Sequence, residues 1–507
     1  MLTAPFILTA IFFIVILGIA CWGLRQTSNV GDFFLGGNTL GPWLLAVSYG
    51  TTYFSAAAFI GFAGRLGWQY GLNALWIALG NTLLGGLLAW LVLGKQTRRM
   101  SHNLNTMTMP EFFGMRYDSQ KMKAISAVII FVFMIPYSAS IYQGLSYLFE
   151  STFHIPFWVA LLIITVFSSV YVTLGGYKAV ARVDFLQGIV MFFGAILMIV
   201  FLLRSFGGLS NVLESIDSTR AELAALDPSD PLAIKAPLSV WILPGLIFMT
   251  SFGVWGLPQM VHKYYAIKDE RQIFRGAIVT TVFAFFVVGA AYFAGTMCPL
   301  MEKDLLLPGS AEKMNIESLV PTLLTTRLPE FMMAIILLLV LSASISTLTS
   351  LVLVSASAVT IDLYKGYINP NATQERMLFL MRLFSVLFIV ASFIITVSKV
   401  TWIITLMSIS WGAIAGAFMA PFMYGLFWKR TTKAGAYAGI ITGLLLSNGL
   451  FFGCMYYSYY YNLPSMANNY APVFASIAMI VPFVIVPIVS LMTKPPKQEA
   501  IDKAFEK

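Results

Sequence analysis

The chain has 507 residues, of which 59% are hydrophobic and only 10% are charged, and its formal net charge is +9. Soluble domains carry about 25% charged residues, so this composition excludes a water-soluble globular protein. The lysines and arginines lie in short clusters between apolar segments, a distribution that orients membrane helices and does not indicate a nucleic-acid partner. Cys21, Cys298 and Cys454 are far apart, so they predict neither a disulfide framework nor a metal site.

Apolar segments of about 20 residues recur along the chain, the length of a helix that crosses a hydrocarbon core of roughly 30 Å. Helices satisfy their own backbone hydrogen bonds in lipid, so an all-α polytopic membrane protein with one domain is predicted. The short alternating segments of a transmembrane barrel are not found. A hydropathy window predicts about 13 spans. In chain order they cover residues 5–24, 42–64, 72–94, 124–149, 157–175, 183–203, 240–261, 276–300, 329–359, 377–397, 402–427, 434–457 and 472–492.

The first segment begins close to Met1 without a preceding basic residue. A cleaved signal peptide has a charged region before its apolar part, so this segment is expected to remain as a spanning helix. The loops then set the orientation, because cytoplasmic loops carry an excess of lysine and arginine. Basic clusters follow the third, seventh and eleventh spans, at Lys95, Arg98, Arg99, Arg116, Lys121 and Lys123, at Lys263, Lys268, Arg271 and Arg275, and at Lys429, Arg430 and Lys433.

The loop after the sixth span is acidic and is expected on the opposite side of the membrane from these clusters. Its carboxylates are Glu214, Asp217, Glu222, Asp227 and Asp230. With an odd number of spans, the N-terminus lies outside the cell. Residues 493–507 then form a cytoplasmic tail of a multi-pass protein of the cell (inner) membrane.

Two of the predicted spans are interrupted at their centres, where transporters commonly hold their cargo between broken helices. The second span has hydroxyl and small residues over 48–58, and the seventh contains Gly253, Gly256 and Pro258. Proline removes a backbone donor and glycine loosens a helix. Each interrupted span precedes four further spans, as two inverted five-helix repeats over 42–203 and 240–427 would produce. Small residues that only permit close helix packing are the alternative.

The ninth span carries a run of hydroxyl side chains in an otherwise apolar helix. Ala343, Ser346 and Thr347 have the i, i+3, i+4 spacing of one helix face, so one carbonyl and two hydroxyl oxygens can converge. Carbonyl oxygens of Thr51 and Phe54 would complete the oxygen shell that a small hard cation binds. The pattern predicts a weak Na⁺ site. Hydroxyls that only bond back to the carbonyl four residues earlier are the alternative.

Several sequence runs resemble those of the sodium:solute symporter family across nearly the whole chain. They are residues 32–37, 40–42, 174–176 with Asp184 and Gln187, 346–347, 362–364 and 428–430. The resemblance implies a core of two inverted repeats, with 5–24 and 434–492 as additional helices. It also implies that Thr51, Phe54, Ala343, Ser346 and Thr347 surround a coupling Na⁺, and that Asp184 lies on the inward route by which sodium leaves. A helix cap is the alternative role for Asp184.

Within that family, the runs 51–61 and 252–258 are more similar to the sodium/pantothenate symporter branch. Proline transporters carry an aspartate and a tryptophan where this chain has Tyr53 and Ala57, and a second tryptophan where it has Thr250. The resemblance therefore implies a small polar carboxylate as the solute.

The centres of the second and seventh spans contain no charged side chain. A carboxylate there would be held by N–H groups of the broken helices and by hydroxyls, whereas a cationic amine would want an acidic partner. Tyr53, Phe252 and Trp255 are expected as gates or aromatic walls. The full set of residues expected at the solute is Thr52, Tyr53, Ser55, Tyr137, Thr250, Ser251, Phe252 and Trp255.

These observations predict uptake of a small organic, anionic solute together with Na⁺ by alternating access, without covalent chemistry. The protein is expected as a monomer or loose oligomer in the lipid bilayer. Proton coupling, a proline-type amino acid as the solute, and a membrane sensor built on a symporter-like domain are the alternatives. A channel is not favoured, because the sequence contains no repeated filter motif.

Overall fold

The computed structural model describes residues 3–24, 42–225, 240–301, 316–463 and 466–506, except for the side chains of residues 3, 23, 24, 42, 174–179 and 181. These ranges are helical and contain no strand, which confirms the all-α class. The run 32–37, the residues Leu40 and Gly41, and the acidic Asp227 and Asp230 lie outside the described residues.

The first half of the chain forms nine α-helices within the described ranges. They are α1 (Thr3–Leu24), α2 (Pro42–Tyr53), α3 (Ala63–Tyr70), α4 (Leu75–Gly80), α5 (Ala89–Asn103), α6 (Met109–Arg116), α7 (Gln120–Phe153), α8 (Phe157–Ser205) and α9 (Leu209–Ala224). The π-helical turns Ala57–Phe62 and Asn81–Leu88 and the 3₁₀ turn Gly71–Ala74 connect consecutive members of α2 to α5.

The second half follows the same pattern of long helices and short connecting turns. Its helices are α10 (Ile242–Phe252), α11 (Pro258–Tyr265), α12 (Gln272–Thr296), α13 (Leu319–Arg327), α14 (Glu330–Ser357), α15 (Gln374–Val397), α16 (Ile403–Phe427), α17 (Lys433–Tyr460), α18 (Ala467–Ile480), α19 (Pro482–Met492) and α20 (Gln498–Phe505). The connecting turns are Gly253–Trp255, Cys298–Leu300 and Ile316–Ser318, which are 3₁₀, and Ala358–Ile368, which is π-helical.

Eleven segments of the described chain are long and apolar enough to cross a membrane, beside the shorter apolar helix Phe157–Thr173. Each predicted span overlaps a helix. The third span and the second half of the second form one run of helical turns, Ala57–Asn103. The fifth and sixth spans share α8, in whose sequence no proline occurs. The number of crossings and the sides on which the termini lie stay predictions.

The hydroxyl-rich helix lies at the centre of the bundle. The apolar windows of α14 and α16 are almost entirely enclosed by other helices, whereas α1 and α17 leave most of theirs exposed. Apolar side chains such as Ile14 and Leu445 point outward from these peripheral helices, as suits contact with lipid. The run of serines and threonines in α14 is therefore shielded from lipid and available to neighbouring helices.

The predicted C-terminal tail, 493–507, ends in a docked helix. The side-chain amide of Asn103 donates hydrogen bonds to the carbonyl oxygens of Ala504, at 3.3 Å, and Glu506, at 2.8 Å. The guanidinium of Arg116 lies 5.2 Å from the ring centroid of Phe505. Helix α20 therefore packs against α5 and α6 and does not extend away from the bundle.

Candidate functional site

The second predicted span is broken as expected. Helix α2 ends at Tyr53, Phe54 and Ser55 have no regular structure, and a π-helical turn begins at Ala57. The hydroxyl of Ser344 accepts a hydrogen bond from the main-chain N–H of Ala56 at 3.1 Å. A side chain of α14 thus satisfies a backbone donor that the break leaves without a helical partner.

The seventh predicted span is also broken. Helix α10 ends at Phe252, and α11 begins at Pro258 after Leu257 adopts an extended conformation. Gly253 is required here, because an added Cβ would lie 2.7 Å from the ring of Trp411. The break therefore has a local cause, the proline that cannot continue a helical hydrogen-bond pattern, and Gly253 permits the close approach of α16 beside it.

The two breaks are neighbours in the bundle. The hydroxyl of Tyr53, the last residue of α2, donates to the main-chain oxygen of Thr250 in α10 at 2.6 Å. The ring of Tyr53 stacks on Phe54 with centroids 4.1 Å apart. Residues beside each break are therefore in direct contact, as a site shared between the two segments requires.

Oxygen atoms of α2 and α14 converge beside the first break. The hydroxyl of Ser346 donates to the hydroxyl of Thr51 at 2.8 Å. The hydroxyl of Thr347 lies 2.9 Å from the carbonyl oxygen of Ala343, 3.3 Å from that of Thr51 and 3.1 Å from that of Thr52. The back-bond that was the alternative interpretation is present, but the same hydroxyl also faces two carbonyls of another helix.

The five residues predicted at the ion are all buried. The structure brings Thr51, Ala343, Ser346 and Thr347 together through the hydrogen bonds above. Phe54 lies at the break itself, and its main-chain N–H donates to the oxygen of Gly50 at 3.3 Å. The cluster contains hydroxyl and carbonyl oxygens and no carboxylate, which is a donor set suited to weak binding of an alkali cation.

Asp184 is not a helix cap, because it lies within α8, which begins at Phe157. Its carboxylate accepts a hydrogen bond from the hydroxyl of Ser48 in α2 at 2.5 Å. The ammonium group of Lys263 lies 3.7 Å from the same carboxylate oxygen. Asp184 is therefore held by residues of α2 and α11. Its partner Ser48 lies one helical turn before Thr51 on α2.

The assignment of Lys263 to a loop after the seventh span is wrong. Helix α11 continues to Tyr265, and the side chain of Lys263 is only 1% exposed. Its ammonium group donates to the hydroxyls of Ser48 at 2.8 Å and Ser350 at 3.4 Å. Counting basic residues at the ends of apolar segments cannot distinguish such a buried cation from a loop cation, since the acid that pairs with it is distant in the sequence.

The hydroxyls predicted to bind the solute are largely bonded within the protein. Thr52 pairs with Ser350 at 3.1 Å, and Thr250 donates back to the carbonyl of Leu246 at 2.8 Å. Ser251 donates to the side-chain oxygen of Asn81 at 3.2 Å. Thr250 is therefore bonded within α10, and Ser251 is bonded to Asn81 in a neighbouring turn. Thr52 is bonded to Ser350 in α14, the helix that also carries Ser346 and Thr347.

The other residues predicted at the solute contact different parts of the bundle. The indole N–H of Trp255 donates to the carbonyl of Leu84 at 3.1 Å, and its ring lies 5.4 Å from that of Phe252. Tyr137 instead makes an edge contact with Trp411 at 5.6 Å. Ser55 is buried within the break, where its carbonyl accepts from Ala58 and Phe59.

Two further buried polar residues were given no site role from the sequence. Both polar atoms of the buried Gln259 amide, in the first turn of α11, lack a hydrogen-bond partner within the described residues. The same holds for Gln187, one turn after Asp184 in α8, among the parts of the chain that are described. An unpaired buried amide is costly, so these groups are available to water or cargo. A glutamine immediately after the proline of a broken span was a usable signal.

An acidic residue beyond the spanning segments connects three helices. Glu317, in the turn before α13, accepts hydrogen bonds from the main-chain N–H of Ile403 at 2.5 Å and from the side chain of Gln143 at 2.7 Å. Burial raises the pKa of Glu317 to about 7, although the two hydrogen bonds and the positive charges of Arg65 and Lys399 act in the opposite direction. This carboxyl therefore titrates near neutral pH.

Known proteins share sequence and fold with this chain. The chain is 28% identical to a sodium/proline symporter of Escherichia coli (strain K12), over 86% of this chain and 85% of that protein. It is 27% identical to the sodium/pantothenate symporter of the same organism, over 86% and 88%. A solved structure of a Na⁺-coupled sialic acid symporter, bound to substrate and open outward, has the same fold, with a TM-score of 0.77 and 17% identity over 98% of each chain.

The model of the sodium:solute symporter family matches residues 33–443. Members of this family are transporters and not enzymes, and the relatives above are bacterial membrane proteins. The chain therefore belongs to the sodium:solute symporter family and is a multi-pass transport protein of the inner membrane.

Proposed function

We propose that the protein carries a small organic solute with a carboxylate group into the cell, driven by Na⁺ that binds among Thr51, Phe54, Ala343, Ser346 and Thr347. The observation that carries this proposal is the hydroxyl of Thr347, which faces the carbonyls of Thr51 and Thr52 as well as that of its own helix. An ion at this point would contact both the broken segment and α14. Its binding would therefore favour one arrangement of the two.

The cycle follows from this contact. Na⁺ stabilises the arrangement in which the solute site faces outward, the solute binds beside the breaks, and a rocking motion of the two repeats then exposes both to the cytoplasm. Asp184 bonds to Ser48, one helical turn before Thr51 on α2, and marks the route by which the ion leaves. The neutral oxygen ligands favour release, because an ion held only by hydroxyls and carbonyls is bound weakly.

The charges around the breaks support an anionic solute. The residues beside the breaks in α2, α10 and the start of α11 include no carboxylate within the described sequence, so the amine of an amino acid would lack an acidic partner there. A carboxylate can instead accept from the unpaired side-chain amide of Gln259 in the first turn of α11. Thr52, Ser55, Tyr137, Thr250 and Ser251 supply further hydroxyls.

The aromatic residues Tyr53, Phe252 and Trp255 form the walls of this solute site. A pantothenate-like molecule or another small carboxylate fits these features. Proline is the second candidate, because sequence identity to the proline symporter, 28%, and to the pantothenate symporter, 27%, does not choose between the two solutes.

Uptake into proteoliposomes tests the proposal. Purified protein is reconstituted, and accumulation of labelled pantothenate, short monocarboxylates and proline is followed with an inward Na⁺ gradient, with an equal proton gradient, and with neither. The proposal expects accumulation of pantothenate or a monocarboxylate only under the Na⁺ gradient. Accumulation driven by protons alone, or accumulation of proline with neither pantothenate nor a monocarboxylate carried, would contradict it.

A further inference from the structure

The proposed function uses Asp184 but gives no role to Lys263, its buried partner in an ion pair. A charged side chain inside a membrane protein is costly and indicates a role in ion movement. Both groups are shielded from solvent, with side-chain exposures of 0% and 1%. The pair lies next to the proposed Na⁺ site, because Ser48 and Thr51 are one helical turn apart on α2.

The oxygens around the ammonium group of Lys263 resemble a cation site. They are the hydroxyls of Ser48 at 2.8 Å and Ser350 at 3.4 Å and a carboxylate oxygen of Asp184 at 3.7 Å. The other carboxylate oxygen of Asp184 has no hydrogen-bond partner among the described residues. Carboxylate and hydroxyl oxygens are the ligands that a hard cation prefers, and here they surround a cation that belongs to the protein.

We propose that Lys263 is a tethered cation that occupies the place of a second Na⁺ beside Asp184, so that the transporter couples one Na⁺ to each solute. This inference rests on the proposed function. The ammonium neutralises Asp184, which leaves the neutral oxygens around Thr51 as the position for a mobile ion. Asp184 without Lys263 would be a buried, uncompensated anion beside the hydroxyl of Ser48, and such an anion attracts a cation from solution.

The link between the two positions is short. Ser350, which accepts from Lys263, also pairs with the hydroxyl of Thr52 at 3.1 Å, and the carbonyl of Thr52 faces Thr347. Pairing with Asp184 offsets the positive charge of the ammonium, so Lys263 adds no net charge beside the proposed ion position. The same ammonium fixes the hydroxyls of Ser48 in α2 and Ser350 in α14.

The test measures the number of Na⁺ ions carried per solute. Wild-type protein and the variants Lys263→Gln, Lys263→Arg and Lys263→Gln with Asp184→Asn are reconstituted. The Na⁺ to solute ratio is obtained from the reversal potential, which is the membrane potential at which net uptake stops for known Na⁺ and solute gradients. Lys268→Gln serves as the matched control, since Lys268 is an exposed residue after the same helix.

A ratio of one is expected for the wild type, for Lys263→Arg and for the control. In Lys263→Gln the ratio should rise to two, and the Hill coefficient for Na⁺ should rise from about 1 to about 2. The added Asp184→Asn should return both values to those of the wild type, because the acid that holds the second ion is gone. A purely structural role of Lys263 would change the rate of uptake without moving the ratio.

Two results would overturn the inference: a wild-type ratio of two, or a ratio of one together with an unchanged Hill coefficient in Lys263→Gln. If Lys263→Gln does not transport, equilibrium binding of radioactive Na⁺ to the purified variant replaces the uptake measurement. The inference expects two Na⁺ sites in this variant, and a single site would contradict it. Failure of the proposed function gives a different result, because the wild type would then show no uptake that depends on Na⁺.

Discussion

The hydroxyl of Tyr53 donates a 2.6 Å hydrogen bond to the main-chain oxygen of Thr250, and this bond joins the two interrupted segments beside their breaks. Both residues are buried. Alternating access requires the two segments to move relative to other helices. A bond between them therefore contributes to the balance between transport states as well as to folding stability.

Tyr53→Phe removes only this hydroxyl. We expect a loss of about 1 kcal/mol in the free energy of unfolding, the usual net value of a buried hydrogen bond. We also expect a change in the solute concentration that gives half-maximal uptake, since Thr250 lies beside the proposed solute site. Thermal unfolding in detergent and uptake kinetics in proteoliposomes measure the two effects.

Tyr49→Phe is the matched control for Tyr53→Phe. Tyr49 lies one turn earlier on α2 and donates to the carbonyl of Gly85 at 2.8 Å, so its removal also costs one buried hydrogen bond. It leaves the contact between the interrupted segments intact. Equal changes in half-maximal uptake for the two variants would contradict the role assigned to Tyr53.

Helices α3 and α12 touch backbone to backbone at two glycines. A Cβ added at Gly67 would lie 2.1 Å from the main-chain carbon of Gly295. Backbone cannot move aside as a flexible side chain can, so Gly67→Ala should push the helices apart. We expect a destabilisation of about 2 kcal/mol or more, as for an overpacked core, measured as a lower melting temperature in detergent.

Gly289→Ala on α12 is the control, because nothing lies within 4 Å of a Cβ added there. Alanine also has the higher helix propensity, so this variant should melt at or slightly above the wild-type temperature. A Gly67→Ala protein as stable as Gly289→Ala would show that α3 and α12 are not in contact at Gly67.

Glu317 should make the stability of the protein depend on pH. Its folded pKa of about 7 lies above the usual glutamate value of 4.5, so between these values the folded protein binds more protons at this group than the unfolded chain. The stabilising contribution is complete below about pH 4.5 and is lost as the pH rises through 7. The full difference corresponds to about 3 kcal/mol.

Glu317→Gln is uncharged at every pH and keeps a group of similar shape. From pH 5 to pH 8, a range of about three units that brackets the folded pKa of about 7, the melting temperature of the wild type should therefore fall. That of Glu317→Gln should not show this additional fall. Melting curves recorded across this range for both proteins give the comparison. Parallel curves, or a wild type that gains stability as the pH rises, would refute this assignment.

The sequence was informative where a pattern is local. The hydroxyls of Ser346 and Thr347 share a helix face, and the hydroxyl-rich span 42–64 was predicted to be loosened. Their meeting with Thr51 was implied by the family resemblance and not by the local pattern. The breaks themselves follow from Pro258 and from small residues, whose effects on a helix do not depend on distant contacts.

The sequence was least informative where the partner is remote. Lys263 was counted among loop residues because it follows the predicted end of the seventh span at residue 261. Asp184 became its partner only because α8 and α11 both pack against α2. Thr250 and Ser251 show the same limit. Their hydroxyls bond to Leu246 and Asn81 inside the bundle, which hydropathy and spacing cannot reveal.

Binding of radioactive Na⁺ to the purified protein tests the proposed ion site most directly. The variant Ser346→Ala with Thr347→Ala removes two of the proposed ligands. The variant Thr349→Ala with Ser357→Ala is its control on the same helix, since those hydroxyls donate to the carbonyls of Ile345 and Val354. We predict saturable binding in the wild type and the control, and an affinity at least about tenfold lower in the first variant, a loss of about 1.4 kcal/mol. Equal Na⁺ affinity in all three proteins would contradict the site.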